Sequence, residues 1–527
     1  MSATILAAVP ASAPVEIVIH SPANGVEVGR APVCTAEQVN AAVLHARAVQ
    51  PAWAALTFRE RARVILRARD IVLDEMDSIA RLISDEIGKP LAEALTTELT
   101  PTLDLMRYFA QQTEKLLRPQ KLDLGRQYRL MGRSSRVVYH PLGVIGIIAP
   151  WNFPWATPLG EIVPALMSGN AVILKPSELT PLTALRIAEV LQKAGLPNGL
   201  LSVVTGYGET GASLIAARPD KIMFTGSTAT GRKIAAAAAQ HLIPVVLELG
   251  GKDPMVVLAD ANVEIAARAA VWGAFANAGQ ACASVERCYV HESVAPQFIE
   301  KIVAETKTLR LNYPDTDALE IGSMSSERQL KIVETQVDDA RARGAEILTG
   351  GHRAPNFKGA FYEPTVITKV NHTMDLMREE TFGPVLPIMT FRDESEALRL
   401  ANDTIYGLTA SVWTRDIARG QRLAQQIMAG TVMVNEVLYT HGLAATPWGG
   451  MKQSGYGRTH GRDGLLEMVA PQHVHTNRVT FQPDLWWFNY SAPAVSLFRG
   501  LARRFTSGSL LQTARLLPQM LRRMKEK

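Results

Sequence analysis

The chain of 527 residues has only three cysteines, Cys34, Cys282 and Cys288. That excludes a disulfide framework and points to a reducing compartment, where a lone thiol can serve as a nucleophile. Apolar residues make up 47%. Even so, no run approaches the roughly 18 consecutive apolar residues that a membrane-spanning helix needs, and the longest sheet-like run, Val144–Ala149, falls far short. Met1–Ala13 is apolar but holds no Lys or Arg, so it lacks the positive start of a secretory signal. With 20% charged residues and a mean hydropathy of +0.04, the composition excludes a disordered chain and a membrane bundle alike. A cytoplasmic location is expected, with up to about three domains for this length.

A basic body is also missing. The chain carries +5 and a pI of about 9.0. From Thr480 onward eight basic residues face two acidic ones, a net +6, which leaves −1 for residues 1–479. The excess is a property of the tail, and no nucleic-acid partner is expected from it.

What is present is a change of grammar along the chain. Residues 35–115 read as helical: Val39, Ala42, Val43 and Ala46 fall at i, i+3, i+4 and i+7, and Arg59–Leu73 resumes the pattern after Pro51. Tyr128–Tyr139 reads as a polar strand. Short β-rich runs follow at Val144–Ala149, Ala171–Leu174, Leu201–Val204, Lys221–Phe224 and Val245–Leu247, with helical segments at Pro181–Ala194 and Glu209–Ala217 between them. A second set has strands near Met255–Leu258 and Arg287–His291 and helices near Ala261–Ala274 and Val294–Thr306. The alternation predicts an α/β fold with parallel sheets covered by helices.

Five stretches carry residue types suited to chemistry. Cys282 follows a Gly-Gln turn and precedes a strand, a place that can expose a thiol to a cleft, where modest positive potential makes a thiolate. Cys34 and Cys288 read as buried small hydrophobes. Glu248 ends an apolar strand, where desolvation raises a carboxyl pKa and suits a general base; a surface turn residue fits equally. Asn152, between Pro150 and Pro154, has a rigid backbone and a side chain able to face an oxyanion; alone it also fits an ordinary turn. Gly226 and Ser227 sit between a strand and a helix, where backbone N–H groups favour a diphosphate, although the spacing is not GxGxxG. Lys175 and Glu178 end another strand and could hold ribose hydroxyls.

In this order the motifs resemble the aldehyde dehydrogenase superfamily over roughly residues 20–480. Glu379–Pro384 and Pro447–Arg458 are similar to two further family blocks. The resemblance implies a Rossmann-type dinucleotide-binding domain (1–127 and 141–250), an α/β catalytic domain (251–440) and a β oligomerisation arm (128–140 and 467–480), followed here by a basic amphipathic tail (481–527). It implies a homodimer or homotetramer and an NAD-dependent reaction, with NADP less favoured because Glu178 would repel a 2′-phosphate. Cys282 would attack the aldehyde, Asn152 would hold the oxyanion, and Glu248 would activate water. Lys175, Glu178, Gly226, Ser227, Glu380, Phe382 and Trp151 would hold the cofactor, and no metal is implied. The alternatives are a semialdehyde dehydrogenase for a carboxylated substrate, a CoA-acylating relative and a non-catalytic protein on the same fold.

Several positions depart from the family pattern. A bulky Trp-Lys pair often follows the oxyanion Asn by eight and nine residues, where this chain has Gly160 and Glu161, and a Glu near the C-terminal block is replaced by Thr459. If Glu161 lies near Glu248, like charge should raise the pKa of the base. Semialdehyde enzymes typically place an Arg where this chain has Ala276. Gly160, Trp155 and Ala276 together predict a roomy, apolar, uncharged entrance and a hydrophobic aldehyde. In the tail, Ala494, Leu497, Phe498, Leu501 and Phe505 share one helical face, and Leu510, Ala514, Leu517, Leu521 and Met524 another, with Pro518 expected to kink or shorten the second helix. Such helices fit a peripheral membrane contact through 494–527 or docking on protein.

Overall fold

The computed structural model describes residues 15–313, 319–481, 484–488, 490–508 and 510–525. The expectation for Met1–Ala13, and the Leu510 side chain assigned to the tail's second apolar face, lie outside what is described. The chain divides into two compact units, one of residues 1–117 with 140–470, the other of residues 118–139 with 471–527.

The first unit begins with a strand pair, Glu16–His20 and Glu27–Pro32, and then a helical layer. Helix Ala36–Ala54 buries Val39, Ala42, Val43 and Ala46 and runs through Pro51. The break expected between Pro51 and the pattern resumed at Arg59 is present. It falls at Thr57, whose side chain accepts from Glu60 N–H in a capping box that starts helix Phe58–Asp74.

Two sheets follow. The first has six strands in the order Gly455–Tyr456, Val245–Glu248, Lys221–Thr225, Val144–Ile148, Ala171–Lys175, Leu201–Val203. All pairs are parallel except Gly455–Tyr456, which closes one edge antiparallel. Val144–Ile148 and Ala171–Lys175 are buried throughout, as near-continuous apolar strands covered on both faces should be. Each such fully buried Val, Ile or Leu contributes about 1.5–3 kcal/mol from desolvation.

The second sheet has seven strands, ordered Glu346–Thr349, Thr365–Thr368, Val385–Phe391, Arg287–His291, Pro254–Val257, Thr409–Trp413, Thr431–Val434, with only the first antiparallel to its neighbour. Helices Val263–Phe275 and Ala295–Thr306 lie close to their predicted positions. Cys288 lies on a strand and is fully buried, whereas Cys34 is half-buried with Sγ 4.0 Å from Thr205 Oγ1.

The second unit holds a three-stranded sheet in which Arg133–Pro141 lies between Gln120–Leu122 and Val469–Asn477. The predicted strand from Tyr128 starts late, because Arg126–Leu130 is a short helix. The tail forms helices Ala492–Ser507 and Leu510–Lys525. They pair as an antiparallel hairpin: Arg504 Nε donates to Thr513 Oγ1 at 2.6 Å, and Gly500 leaves room for Leu516. Pro518 does not shorten the second helix. Its packed face also differs from the predicted one. Leu516 and Arg523 are buried, the latter donating to Trp487 O at 2.7 Å, while Leu517 and Leu521 are exposed. Contact with the first helix, rather than apolar spacing alone, selects the buried face.

Candidate active site

The predicted site residues gather at the carboxyl edge of the first sheet. Val144–Ile148 leads into the turn of Trp151 and Asn152, Ala171–Lys175 ends in Lys175, Lys221–Thr225 runs into Gly226 and Ser227, and Val245–Glu248 ends in Glu248. Strand order reverses between Val144–Ile148 and Lys221–Thr225, the switch point at which open α/β sheets take ligands. Ser227 caps helix Thr228–Ala239 by accepting from Thr230 N–H, so the helix's free N–H groups open at this edge. Lys175 is buried, and burial lowers its pKa against the opposing pull of Glu178 and Glu209. Glu178 is exposed.

Asn152 is buried and its Nδ2 donates to Gln280 O at 3.0 Å; an amide nitrogen carries a second hydrogen for another acceptor. Its carbonyl accepts from Lys89 Nζ and from Asn277 Nδ2, each at 3.0 Å. Lys89 pairs with Glu98 at 2.6 Å, both fully buried, and lies 3.9 Å over the Phe153 ring. The other Glu98 oxygen accepts from the backbone N–H of Trp155 and Ala156 at 3.1 and 2.8 Å, a carboxylate at the start of helix Ala156–Met167. Glu98 comes from a π-helical turn, Ala94–Leu99, a distortion that recurs at functional sites.

Cys282 follows the 3-10 turn Ala276–Gly279, in which Asn277 and Ala278 take left-handed φ of 53° and 51°. Hydrogen bonds hold that strained backbone. Glu93 accepts twice from Asn277 N–H at 3.0 and 2.9 Å, and Gln280 Nε2 donates to Asn277 O at 3.0 Å. Burial raises the Glu93 pKa to about 7. Gly251 lets the strand approach this loop; a Cβ there would stand 2.8 Å from Cys282 O. Cys282 itself is half-buried. Burial, then Asp253, Glu380 and Glu248, push its thiol pKa above the ordinary value, so the expected positive potential is not what surrounds it.

Glu248 is buried, and neither carboxyl oxygen has a hydrogen-bond partner. Its pKa stands well above the carboxylate range, through burial first and Glu161 second, with Arg458 opposing. Glu380 Oε1 accepts from Gly251 N–H at 2.9 Å, and burial with Glu286 raises its pKa to about 8. Glu286, paired to Lys252 at 2.6 Å, accepts from Thr381 and Phe382 N–H at 3.0 and 2.9 Å. Phe382 meets Trp151 edge to face, ring centres 5.4 Å apart. The site therefore brings together Trp151, Glu380 and Phe382 beside the Cys282–Glu248 centre.

The aldehyde dehydrogenase family model matches residues 9–474. The chain belongs to this family. It is 39% identical over 509 residues to 4,4'-diapolycopene aldehyde oxidase of Methylomonas sp., covering 96% of this chain and 94% of that one, so that likeness runs into the tail. It is 43% identical over 458 residues, 86% and 88% of the two chains, to a Mycolicibacterium smegmatis protein named for NADP-dependent succinate-semialdehyde oxidation. The crystal structure of an NAD-dependent aldehyde dehydrogenase from Sinorhizobium meliloti superposes with a TM-score of 0.85 at 36% identity, over 90% of this chain and 93% of that one. The protein is thus an aldehyde-oxidising oxidoreductase on a Rossmann-like fold.

Within this aldehyde dehydrogenase two entrance expectations need correction. Trp155 is fully buried, its Nε1 donating to Thr102 Oγ1 at 3.2 Å, so it is core. The space left by Gly160 is taken by a histidine: a Cβ there would stand 2.7 Å from His460 Nε2. His460 is buried and its ring lies 4.8 Å from His441, which rests on Trp448 at 4.9 Å. Ala276 is 9% exposed. The Lys89–Glu98 pair, Glu93, Asn277 and Asp253 escaped the sequence reading. For Lys89, Glu93 and Glu98 the only signal was charge within an otherwise helical stretch, which reads as a solvated face.

Proposed function

We propose that this enzyme oxidises an uncharged, hydrophobic aldehyde to its carboxylic acid with NAD, through a thiohemiacetal and then a thioester on Cys282. The observation that carries this reading is the meeting of a half-buried thiol, a fixed amide and an unpaired buried carboxyl at one sheet edge. Cys282 passes its proton through the Glu248 carboxylate to solvent, and Sγ bonds the carbonyl carbon. The resulting oxyanion faces Asn152 Nδ2–H and the Cys282 backbone N–H, donors fixed before the charge develops. Lys175 and Glu178 suit ribose hydroxyls, Gly226 and Ser227 a diphosphate, and Glu380, Phe382 and Trp151 the nicotinamide end. NAD held there supplies the acceptor for the aldehyde hydride, which leaves the thioester. Glu248 then takes a proton from water, hydroxide attacks the thioester carbon, the acid leaves and Cys282 is restored.

The absence of an Arg at Ala276 supports an uncharged substrate, as does the likeness to a protein named as a 4,4'-diapolycopene aldehyde oxidase. The semialdehyde reading is favoured by the Mycolicibacterium relative. NAD over NADP rests on the Glu178 carboxylate, with Lys175 keeping NADP within reach. An aldehyde panel graded by chain length and charge, run with NAD and NADP, tests all three. Highest kcat/KM is expected for long uncharged aldehydes with NAD, and a preference for succinate semialdehyde would reject the substrate reading.

A homodimer or homotetramer formed through the arm is supported by the exposed edge strand Val469–Asn477. For a cytoplasmic enzyme the tail supports peripheral membrane contact. Phe488, Tyr490, Phe505, Leu511, Leu517 and Leu521 are exposed beside exposed Arg499, Arg503, Arg515 and Arg522, the mix that binds an anionic lipid surface. A chain ending at Asn477 should lose flotation with anionic liposomes; equal flotation of both chains rejects this.

A further inference from the structure

Hydride transfer needs two loops in register, the one that carries Cys282 and the one that carries Glu380 and Phe382. One buried carboxylate spans both. Glu286 follows Cys282 closely and stands just before strand Arg287–His291. Its backbone N–H and that of Arg287 donate to Asp253 O at 3.1 and 3.2 Å, which pins this end of the nucleophile's loop to the segment running on from Glu248. Its side chain reaches the other loop. Oε1 accepts from Phe382 N–H at 2.9 Å, and Oε2 accepts from Thr381 N–H at 3.0 Å. Glu286 is 3% exposed.

Further bonds close around the same loop. Lys252 Nζ, fully buried, pairs with Glu286 Oε2 at 2.6 Å and donates to Thr381 Oγ1 at 3.0 Å. Thr381 Oγ1 donates to Gln336 Oε1 at 2.8 Å, and Gln336 Nε2 donates to Glu380 O at 3.2 Å. Gln329 Nε2 donates to Thr381 O and Phe382 O at 3.0 and 3.3 Å. Phe382 holds a left-handed φ of 50°, a conformation that a bulky residue keeps only where its surroundings fix it. The two loops also meet backbone to backbone, since Gly279 has no room for a Cβ beside Gly383 O. This frame decides where the Glu380 carboxyl, tied to Gly251 N–H, and the Phe382 ring, against Trp151, can stand.

A carboxylate suits this place better than any neutral side chain. Two successive N–H groups and an ammonium converge on it, so every partner is a donor. An amide would set its own NH2 against one of them. Charge-assisted bonds of this kind are roughly twice as strong as neutral ones. We propose that Glu286 is a positioning residue: rooted in the nucleophile's loop, it fixes Glu380 and Phe382 and so sets the nicotinamide end of the cofactor in register with Cys282. The inference rests on the reading of Glu380 and Phe382 as holding that end. Losing Glu286 weakens binding and hydride transfer at the nicotinamide end, and leaves the adenosine end at Lys175 and Glu178 as it was.

The test is Glu286→Gln. Calorimetric titration with NAD and with AMP separates the two ends of the site. NAD should bind about tenfold more weakly or worse, and AMP should bind as before. The single-turnover NADH burst with an aldehyde at saturating NAD should slow by up to about 100-fold. Alkylation of Cys282 by iodoacetamide, without cofactor, should keep its rate. A merely structural Glu286 would disturb AMP binding and alkylation along with the rest. Gln329→Ala removes the half-buried amide and leaves the Glu286 carboxylate in place. It should weaken NAD in the same sense by about 2- to 10-fold, and it carries the test if Glu286→Gln does not fold. NAD binding and burst unmoved in both variants, or AMP binding and alkylation disturbed as much as NAD binding, overturns the proposal. Glu380→Gln tells the failures apart. If it too leaves NAD binding and the burst unmoved, the reading of Glu380 has itself failed. If it changes them while the Glu286 and Gln329 variants do not, only the positioning role has failed.

Discussion

The two sides of the reacting centre are built on opposite principles. On the Asn152 side every group is tied. Lys89 holds the Asn152 carbonyl, Glu98 holds Lys89 and the start of the next helix, and Asn277 and Gln280 lock the loop that carries Cys282. On the Glu248 side a carboxyl stands buried with no hydrogen bond and a second carboxyl close by. The difference matches the two tasks proposed for them. An oxyanion needs donors that do not move when charge appears, whereas a proton carrier needs high proton affinity and freedom to meet water.

The largest break of this comparison is Asn152→Ala. Loss of a fixed oxyanion donor should cut kcat by about 10²–10³, with acylation slowed as read in NADH formation, and with hydrolysis slowed too because its tetrahedral intermediate needs the same donor. Slowed hydrolysis with unaltered acylation would reverse the assignment of the two sides.

Stability separates them next. Lys89→Met strands Glu98 without its partner and should cost about 3–5 kcal/mol, measured by denaturant unfolding with bound nucleotide absent. Glu248→Gln removes only a carboxyl that lacks partners, and should leave stability unchanged or raise it. Equal losses in the two variants would mean that the Glu248 side is tied as tightly as the other. The smallest effect expected is in Glu161→Gln: removing the like charge that helps raise the Glu248 pKa should move the rising limb of the hydrolysis pH profile to lower pH, and an unmoved limb would show that Glu161 does not act on the base.

Most of the sheet grammar, and the places of Asn152, Glu248 and Cys282, could be read from the chain, because each ends or precedes a short apolar strand and strand ends converge in a parallel sheet. Glu161 could be suspected only from its contrast with the Lys that relatives often hold. The support beneath Asn152 could not be read. Lys89 and Asn152 are 63 residues apart, and a Lys and a Glu within a helical stretch look like a solvated surface until packing buries them. Trp155 and Gly160 were misread for the same reason. Their surroundings come from Thr102 and His460, residues remote in sequence, which turn an expected opening into packed interior. In the tail, spacing found two helices, but the contact between them decided which apolar residues stay outside.

The central claim is that a thioester on Cys282 is formed on one side and released by Glu248 on the other. It is tested most directly by mixing Glu248→Gln with NAD and a long-chain aldehyde, quenching within the first turnovers, and analysing the peptides by mass spectrometry. The account predicts a burst approaching one NADH per site, turnover that then nearly stops, and the acyl mass on the peptide containing Cys282. Steady turnover at the wild-type rate, or an acyl mass on any other residue, would contradict it.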